Sequence, residues 1–270
     1  MLRLMGLRVW SRPAEPAPVV ALPTPDPAPE PKVEAQLAAA AAPEASASPP
    51  AAARPAAMAR TIEGVATLDW NALREAVAGC RACALCDSRT QTVFGVGHRQ
   101  AHWMVVGEAP GDQEDLSGEP FVGAAGQLLD RMLAALQLTR AEDGEALPSQ
   151  RVYIANTLKC RPPRNRNPLA EEVAQCEPYL VRQIELLRPR LILAMGRFAV
   201  QSLLRSDEPI GRLRGRVHRY QGVPLVVTYH PAYLLRNLPD KAKAWDDLLL
   251  ARRTLQAGAA TVVHNADGGN

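Results

Sequence analysis

Four of the five cysteines lie in two widely separated segments, and this spacing constrains the fold more than any other feature of the sequence. Cys80 and Cys83 form a C-x-x-C pair at the end of a predicted helix, whereas Cys160 and Cys176 lie far downstream. A C-x-x-C turn can direct two thiolates toward one centre, and two further thiolates complete a tetrahedral set. If all four bind one centre, the fold must bring the two segments together.

We expect metal or iron–sulfur ligation rather than disulfides for these cysteines. Arg3 and Arg8 interrupt the apolar start of the chain, which therefore does not resemble a secretory signal. Disulfides are rare in reducing compartments. Burial of some thiols as small apolar side chains is the alternative, since free cysteine is often buried. Cys86, three residues after Cys83, could replace a ligand on geometry alone or be buried.

Composition divides the chain into three parts. Residues 1–60 contain 12 Pro and 18 Ala without a sustained apolar period, which predicts a disordered tail. Residues 61–256 have a globular pattern and are long enough for one domain, and 257–270 are predicted to be a disordered C-terminal tail. No stretch approaches the roughly 18 apolar residues of a membrane span, so we expect no membrane partner. Residues 1–12 could bind a protein partner of unknown identity.

The cations are clustered, although the net charge of +3 excludes a uniformly basic nucleic-acid-binding protein. One cluster consists of Lys159, Arg161, Arg164 and Arg166, and a second of Arg212, Arg214, Arg216, His218 and Arg219. Cations separated by Pro and Gly are typical of loops that bind phosphates. A solvated surface is the alternative for each cluster.

Short apolar runs alternate with amphipathic segments, which predicts a parallel α/β sheet between helices. Strands are predicted at 102–106, 152–155, 191–195 and 223–228, and helices at 68–78, 126–136, 169–187, 197–204 and 241–255. Ligands bind beyond the carboxyl ends of the strands in such sheets. Three polar segments follow strands directly, at 108–115, 156–166 and 230–236. We therefore expect them to converge on one rim that forms the site.

These segments carry residue types that suit a flat polar ligand, and each has a structural alternative. Glu108 and Glu114 could supply acceptors or a base, or be solvated turn residues. Asn156 offers an amide that suits the edge of a nucleobase, although an asparagine after a strand more often caps a turn. Phe121 could stack on a ring or belong to the core. His230 follows a buried strand at the predicted rim.

Together these motifs resemble those of the iron–sulfur (family 4) uracil-DNA glycosylases. The matching segments are Gly107-Glu108-Ala109-Pro110-Gly111, Gly118-x-Pro120-Phe121-Val122-Gly123-x-Ala125-Gly126-Gln127, Asn156-x-x-x-Cys160-Arg161-Pro162-Pro163 and His230-Pro231-Ala232-Tyr233-Leu234-Leu235-Arg236. The resemblance extends from about Leu68 to Leu255 and includes the cysteine spacing. It implies a single-domain, three-layer α/β/α fold with a mostly parallel central sheet. It also implies removal of uracil from DNA to start base-excision repair.

The resemblance further implies roles for individual residues. A [4Fe–4S] cluster would bind Cys80, Cys83, Cys160 and Cys176, with Cys86 as an extra thiol. The catalytic loop would contain Glu108 and Ala109, with Pro110 and Glu114 beside the substrate. Phe121 would stack on uracil, Asn156 would read its polar edge, and His230 would face the uracil carbonyl O2. DNA would contact Lys159, Arg161, Arg164, Arg166, Leu234, Leu235 and Arg236.

Three questions stay open at this point. Other branches of the superfamily carry Asp where this chain has Ala109, so either Glu108 or Glu114 would orient the attacking water. A Zn²⁺ ion could replace the cluster in the four thiolates. A related branch traps uracil-containing DNA covalently without turnover, but it carries an added basic, His-containing loop that residues 157–168 lack. We therefore favour hydrolysis, by a monomer that acts in the cytoplasm on nucleoid DNA.

Overall fold

A computed structural model of the chain describes residues 64–266, with side chains described through residue 258. The helices are α1 (Trp70–Ala78), α2 (Asp112–Ser117), α3 (Ala124–Ala135), α4 (Ala170–Leu187), α5 (Arg197–Leu204), α6 (Ile210–Leu213), α7 (Pro231–Arg236) and α8 (Asp240–Ala266). The strands are β1 (Val96–Gly97), β2 (Trp103–Gly107), β3 (Val152–Asn156), β4 (Leu191–Met195), β5 (Val217–Tyr220) and β6 (Val223–Thr228). The predicted N-terminal tail, 1–60, lies outside the described residues.

The six strands form one sheet in the order β1-β3-β2-β4-β6-β5. The four central strands pair in parallel, and β1 and β5 pair antiparallel at the two edges. The mostly parallel sheet is therefore confirmed. The two edge strands were not predicted, because β1 has only two residues and β5 alternates exposed with half-buried side chains.

Helices cover both faces of the sheet, which confirms the three-layer α/β/α fold. Alternate residues of β2 belong to two separate cores, with Met104 in one and Val105 in the other. The first core also holds buried residues of α1 and α4, and the second holds residues of α3 and α8. Burial on both faces explains why the central strands are continuous apolar runs rather than alternating ones.

The C-terminal helix is longer than the sequence predicted. It begins at Asp240 and ends at Ala266, so the predicted domain boundary at residue 256 lies inside it. Alanines at 257, 259 and 260 favour helical continuation, since Ala has the highest helix propensity. Among the helices described, none is long and apolar enough to cross a membrane.

Candidate functional site

The carboxyl ends of the parallel strands open onto one cleft of about 870 Å³. Glu108, Asn156 and His230 all line it, and each belongs to one of the three polar segments that the sequence placed at this rim. The predicted convergence is therefore present. Two of these segments are also joined directly, because the backbone N–H of Leu158 donates to the carbonyl of Glu108 at 3.0 Å.

Asn156 presents a buried amide to the cleft. It is the last residue of β3, its side chain is 2% exposed, and its Oδ1 has no hydrogen-bond partner among the described residues. Buried polar atoms are nearly always paired, so an orphan acceptor at a cleft wall suits a ligand that completes the pair. Gly107 makes room for this amide, since a Cβ at Gly107 would lie 2.4 Å from Asn156 Oδ1 and 2.6 Å from Phe121 Cζ.

Phe121 is held at the cleft by a loop that Glu114 organises. Glu114 Oε1 accepts from the N–H groups of Val122 and Gly123 at 2.9 and 3.0 Å, and Oε2 accepts from Gly111 N–H at 3.0 Å. Both carboxylate oxygens are thus engaged by the backbone. This arrangement favours a role for Glu114 in shaping the loop over a role in orienting water.

His230 is fixed as a neutral donor. Its Nδ1 accepts from Ala232 N–H at 3.2 Å at the start of α7, so the neutral ring carries its proton on Nε2. Burial lowers the pKa of His230 to about 4, which keeps the ring uncharged at neutral pH. Its ring stacks against Phe121 with the centroids 5.3 Å apart.

Glu108 is a carboxylate of the cleft with a strongly raised pKa. Burial raises its pKa to about 7, and the positive charge of Arg197 partly opposes this shift. The neighbouring residue, Ala109, packs against the core and lines the cleft together with Pro110. A carboxyl group poised near neutral pH can accept a proton or orient a water molecule.

The predicted DNA contact of Lys159 is wrong, because this side chain is buried. It is 1% exposed, and its Nζ donates to the carbonyl of Asn156 at 2.8 Å and to Gln183 Oε1 at 2.6 Å. Two other cations of this cluster are more accessible but make ion pairs. Arg161 lies 2.6 Å from Asp112, and Arg166 makes an ion pair with Glu172.

The predicted DNA contact of Leu234 is also wrong. Leu234 is fully buried, whereas Leu235 is 41% exposed and Arg236 lines the cleft. The cause is α7, a short helix that the sequence analysis treated as a loop. Successive residues of a helix point in different directions, so Leu234 enters the core while its neighbour faces out.

The four cysteines predicted as ligands line a single small void. Cys160 and Cys176 are buried, and Cys80 and Cys83 are half-buried. Cys86 lines the same void but donates to Asp87 Oδ1 at 3.4 Å. In the described part of the chain, no set of three or more His, Cys, Asp or Glu side chains is arranged to hold a single metal ion.

Cationic and amide donors already face two of these thiols. The Lys159 N–H donates to Cys176 Sγ at 3.2 Å, and Arg89 Nη1 donates to Cys160 Sγ at 3.1 Å. Burial raises the pKa of Cys160 to about 11 and that of Cys176 to about 12. Buried thiols with donors aimed at sulfur suit thiolates bound to a metal centre, whose charge such donors stabilise.

Residues 94–249 match the family model of the uracil DNA glycosylase superfamily. The chain belongs to this superfamily.

Curated proteins of the superfamily resemble the chain over most of the described residues. A type-4 uracil-DNA glycosylase of Archaeoglobus fulgidus is 46% identical over 59% of this chain and 79% of its own length. A type-4 uracil-DNA glycosylase of Pyrobaculum aerophilum is 40% identical over 68% of this chain and 93% of its own length. A third, from Saccharolobus solfataricus, is 37% identical over 70% of this chain and 88% of its own length.

Further residues that were not predicted from the sequence also line the cleft. Arg197 begins α5 directly after β4, so the same rule of residues following parallel strands would have found it. Tyr229 and Tyr233 line the cleft with their rings stacked 5.0 Å apart, and Tyr233 donates to Asp240 Oδ2 at 2.6 Å. Tyr229 precedes His230 and Tyr233 follows it by three residues, so the predicted position of His230 at the rim could have indicated both tyrosines.

Proposed function

We propose that this chain removes uracil from DNA by hydrolysing the N-glycosidic bond, the first step of base-excision repair. Membership of the superfamily supports the reaction class. The observation that carries the proposal is the unpartnered Oδ1 of Asn156, buried in a cleft that Phe121 and His230 also line. An enzyme that acts on a base must take it out of the stack into such a pocket.

Recognition would combine stacking with an amide edge. Phe121 offers an aromatic face, and the Asn156 amide offers one acceptor and two donors. A flipped uracil presents an N–H donor and carbonyl acceptors, which the amide can pair with in a complementary way. The base would then supply the hydrogen bond that Asn156 Oδ1 lacks in the described structure.

His230 would stabilise the departing base. Breaking the N-glycosidic bond builds positive charge on the sugar and negative charge on uracil. A hydrogen bond from His230 Nε2–H to O2 strengthens as that charge develops, so it lowers the barrier more than it stabilises the ground state. The Nδ1 contact with Ala232 N–H is what directs the proton to Nε2.

Glu108 would orient the water that captures the sugar cation. Ala109 has no carboxylate, and both oxygens of Glu114 accept from the backbone, so Glu108 suits this role better than Glu114, the other candidate that the sequence offered. A weak base is sufficient because bond cleavage runs ahead of water attack. Glu108 with a pKa of about 7 meets this need.

We propose a [4Fe–4S] cluster on Cys80, Cys83, Cys160 and Cys176, with Cys86 outside the ligand set. A single Zn²⁺ ion requires four sulfurs about 2.3 Å from one point. The described side chains form no such set, and the four thiols line one void. The support for a [4Fe–4S] cluster at this void is the cysteine spacing and the motif resemblance to the iron–sulfur glycosylases. When bound, the cluster would join the segment after α1 to α4 as a structural centre. Iron and sulfide analysis together with absorption near ~400 nm tests this.

The DNA interface would consist of exposed residues at the mouth of the cleft. Arg164 is exposed and makes no ion pair within the described residues, and the next residue, Asn165, lines the cleft. Leu235 is exposed, and the next residue, Arg236, lines the cleft as well. We also propose that the protein acts as a monomer on nucleoid DNA in the cytoplasm. A chain that starts at Thr61 should retain full activity, because every site segment lies downstream of it.

The experiment that tests the function uses oligonucleotides with one uracil or one thymine at the same position. Incubation followed by alkali should cleave only the uracil strand. A His230→Ala variant with normal thermal stability controls for contaminating activity. A covalent protein–DNA band on a denaturing gel, without multiple-turnover strand cleavage, would instead identify a trapping protein.

A further inference from the structure

Lys159 lies in the wall between the void lined by the cysteines and the end of β3. Its ammonium group is buried and donates to the carbonyl oxygen of Asn156 at 2.8 Å and to Gln183 Oε1 at 2.6 Å. Burying a charged group is costly unless it is well hydrogen-bonded. A hydrocarbon side chain would fill this space at lower cost, so the two hydrogen bonds need an explanation.

The Lys159 ammonium fixes Asn156 from behind. Asn156 ends β3, where its last ladder partner is Gly107, and its side-chain amide faces the cleft. A charged donor on the carbonyl of this terminal residue restricts rotation of the peptide that carries the amide. Charge-assisted hydrogen bonds of this kind are about twice as strong as neutral ones.

Gln183, the second acceptor of the Lys159 ammonium group, is held in place by its own contacts. Gln183 is fully buried on α4, and its Nε2 donates to the carbonyl of Phe94 at 2.9 Å. The Lys159 backbone contributes as well, because its N–H donates to Cys176 Sγ at 3.2 Å and its carbonyl accepts from Val93 N–H at 2.8 Å. One residue therefore contacts a predicted cluster ligand, a buried side chain of α4 and the backbone of the residue whose amide faces the cleft.

We infer that Lys159 is a positioning residue for base recognition, which holds the Asn156 amide in the orientation that uracil requires and ties it to Cys176. The inference rests on the proposed function. It also explains how a structural cluster far from the reacting bond would support activity, since the segment from Asn156 to Cys160 connects the two.

A Lys159→Met variant tests the inference, because methionine keeps much of the stem and removes the ammonium. Single-turnover excision of uracil should fall between about 10-fold and 100-fold, the range expected for a small misplacement of a reacting group. Inhibition by free uracil should weaken in parallel, while iron content stays at the wild-type level. Arg131→Met, which removes an exposed cation on α3, should leave both the excision rate and free-uracil inhibition unchanged.

A double variant separates positioning from general destabilisation. If Lys159 acts through Asn156, then Lys159→Met combined with Asn156→Ala should be no slower than Asn156→Ala alone, since coupled residues are not additive. Multiplied losses in the double variant would overturn the inference. So would a wild-type rate in Lys159→Met.

If Lys159→Met does not fold or loses iron, Lys159→Gln and Gln183→Leu are measured in the same way. Should neither of them fold, or should each excise uracil at the wild-type rate, Lys159 serves the core alone and the inference is overturned. Failure of the wild-type protein to excise uracil would be a different result, because it overturns the proposed function itself.

Discussion

Phe121 and His230 stack in the cleft, with ring centroids 5.3 Å apart and ring planes 30° apart. Phe121 has a left-handed backbone with φ of 56° in the loop after α2, and His230 caps the start of α7. Two segments that are distant in sequence thus meet through their side chains. Both rings line the same cleft, so capture of the base and its chemistry would share one pocket.

The two rings should nevertheless contribute to different steps. His230→Ala should lower the single-turnover rate on the order of ~10²-fold, as loss of an oxyanion donor does, with little change in DNA affinity. Phe121→Ala should instead weaken capture of the flipped base, where stacking contributes roughly 1–3 kcal/mol. Rapid-quench kinetics and fluorescence anisotropy on one uracil-containing duplex measure both quantities. Normal chemistry with lost binding in His230→Ala would show that His230 docks DNA.

Glu108 should give the reaction its pH dependence. With a pKa of about 7, the carboxylate that orients water forms as pH rises, so the single-turnover rate should climb through pH 7 and then level off. His230 should add no step near its ordinary pKa, because burial lowers it to about 4. The Glu108→Gln variant should be slow and flat between pH 6 and 8.5. A wild-type profile without a step near pH 7 would exclude Glu108 from this role.

Folding stability should change with pH in a related way. The raised pKa of Glu108 means that the folded state binds more protons than the unfolded state between pH 4.5 and about 7. Stability from this group is therefore fully present below pH 4.5 and is lost as pH rises to 7. Thermal unfolding of Glu108→Gln should accordingly show a higher Tm than wild type at pH 8 and a similar Tm at pH 4.5.

The sequence was sufficient to predict the elements that build the core, because continuous apolar runs and helical spacing report burial directly. The strand at Leu191–Met195 and the helix at Arg197–Leu204 were predicted with the observed bounds. The edge strand at Val217–Tyr220 was not, since one of its faces is exposed and its pairing depends on β6. Periodicity does not encode such pairing.

The sequence predicted which segments form the site better than it predicted where the side chains of those segments point. Asn156 and His230 come just after strands predicted from the sequence, and that rule alone placed them at the cleft, although Asn156 is the last residue of β3 in the structure. Lys159 and Leu234 belong to the same segments but point into the core. Their burial depends on contacts with distant elements, such as that of Lys159 with Gln183 on α4. Local sequence contains no signal for those contacts.

The cysteine assignment predicts different effects for two neighbouring thiols. Cys160 is buried and faces Arg89 at 3.1 Å, so Cys160→Ala should lose iron and become unstable. Cys86→Ala should keep full iron content, because this thiol is partly exposed and donates a hydrogen bond to Asp87. Iron and sulfide assays on both purified variants measure this. Iron loss in Cys86→Ala with retention in Cys83→Ala would reverse the assignment.

Cations of the loop after β3 should differ in their effect on salt dependence. Arg164 is exposed without an ion pair in the described structure, whereas Arg166 is paired with Glu172. Arg164→Ala should therefore reduce the slope of log K against log salt by about one unit on any DNA sequence. Arg166→Ala should change the slope less and lower the Tm. Equal slopes for wild type and Arg164→Ala would place Arg164 away from the phosphates.

Gly107 provides the sharpest test of the pocket, because a single methyl group there would meet both recognising side chains. Its Cβ would lie 2.4 Å from Asn156 Oδ1 and 2.6 Å from Phe121 Cζ, distances that real Cβ atoms do not show. Both contacts are with side chains, so they can move while the strand stays in place. Such overpacking costs about 1–3 kcal/mol of stability.

We expect Gly107→Ala to remain folded, with a lower Tm, and to lose about 10²-fold or more of its excision rate, since both side chains would leave their positions. Gly211→Ala is the matched control, because Gly211 lines the same cleft and a Cβ there would meet no atom within 4 Å. Circular dichroism and single-turnover assays on both variants give the comparison. Wild-type excision by Gly107→Ala would mean that uracil is not read at the junction of Phe121 and Asn156.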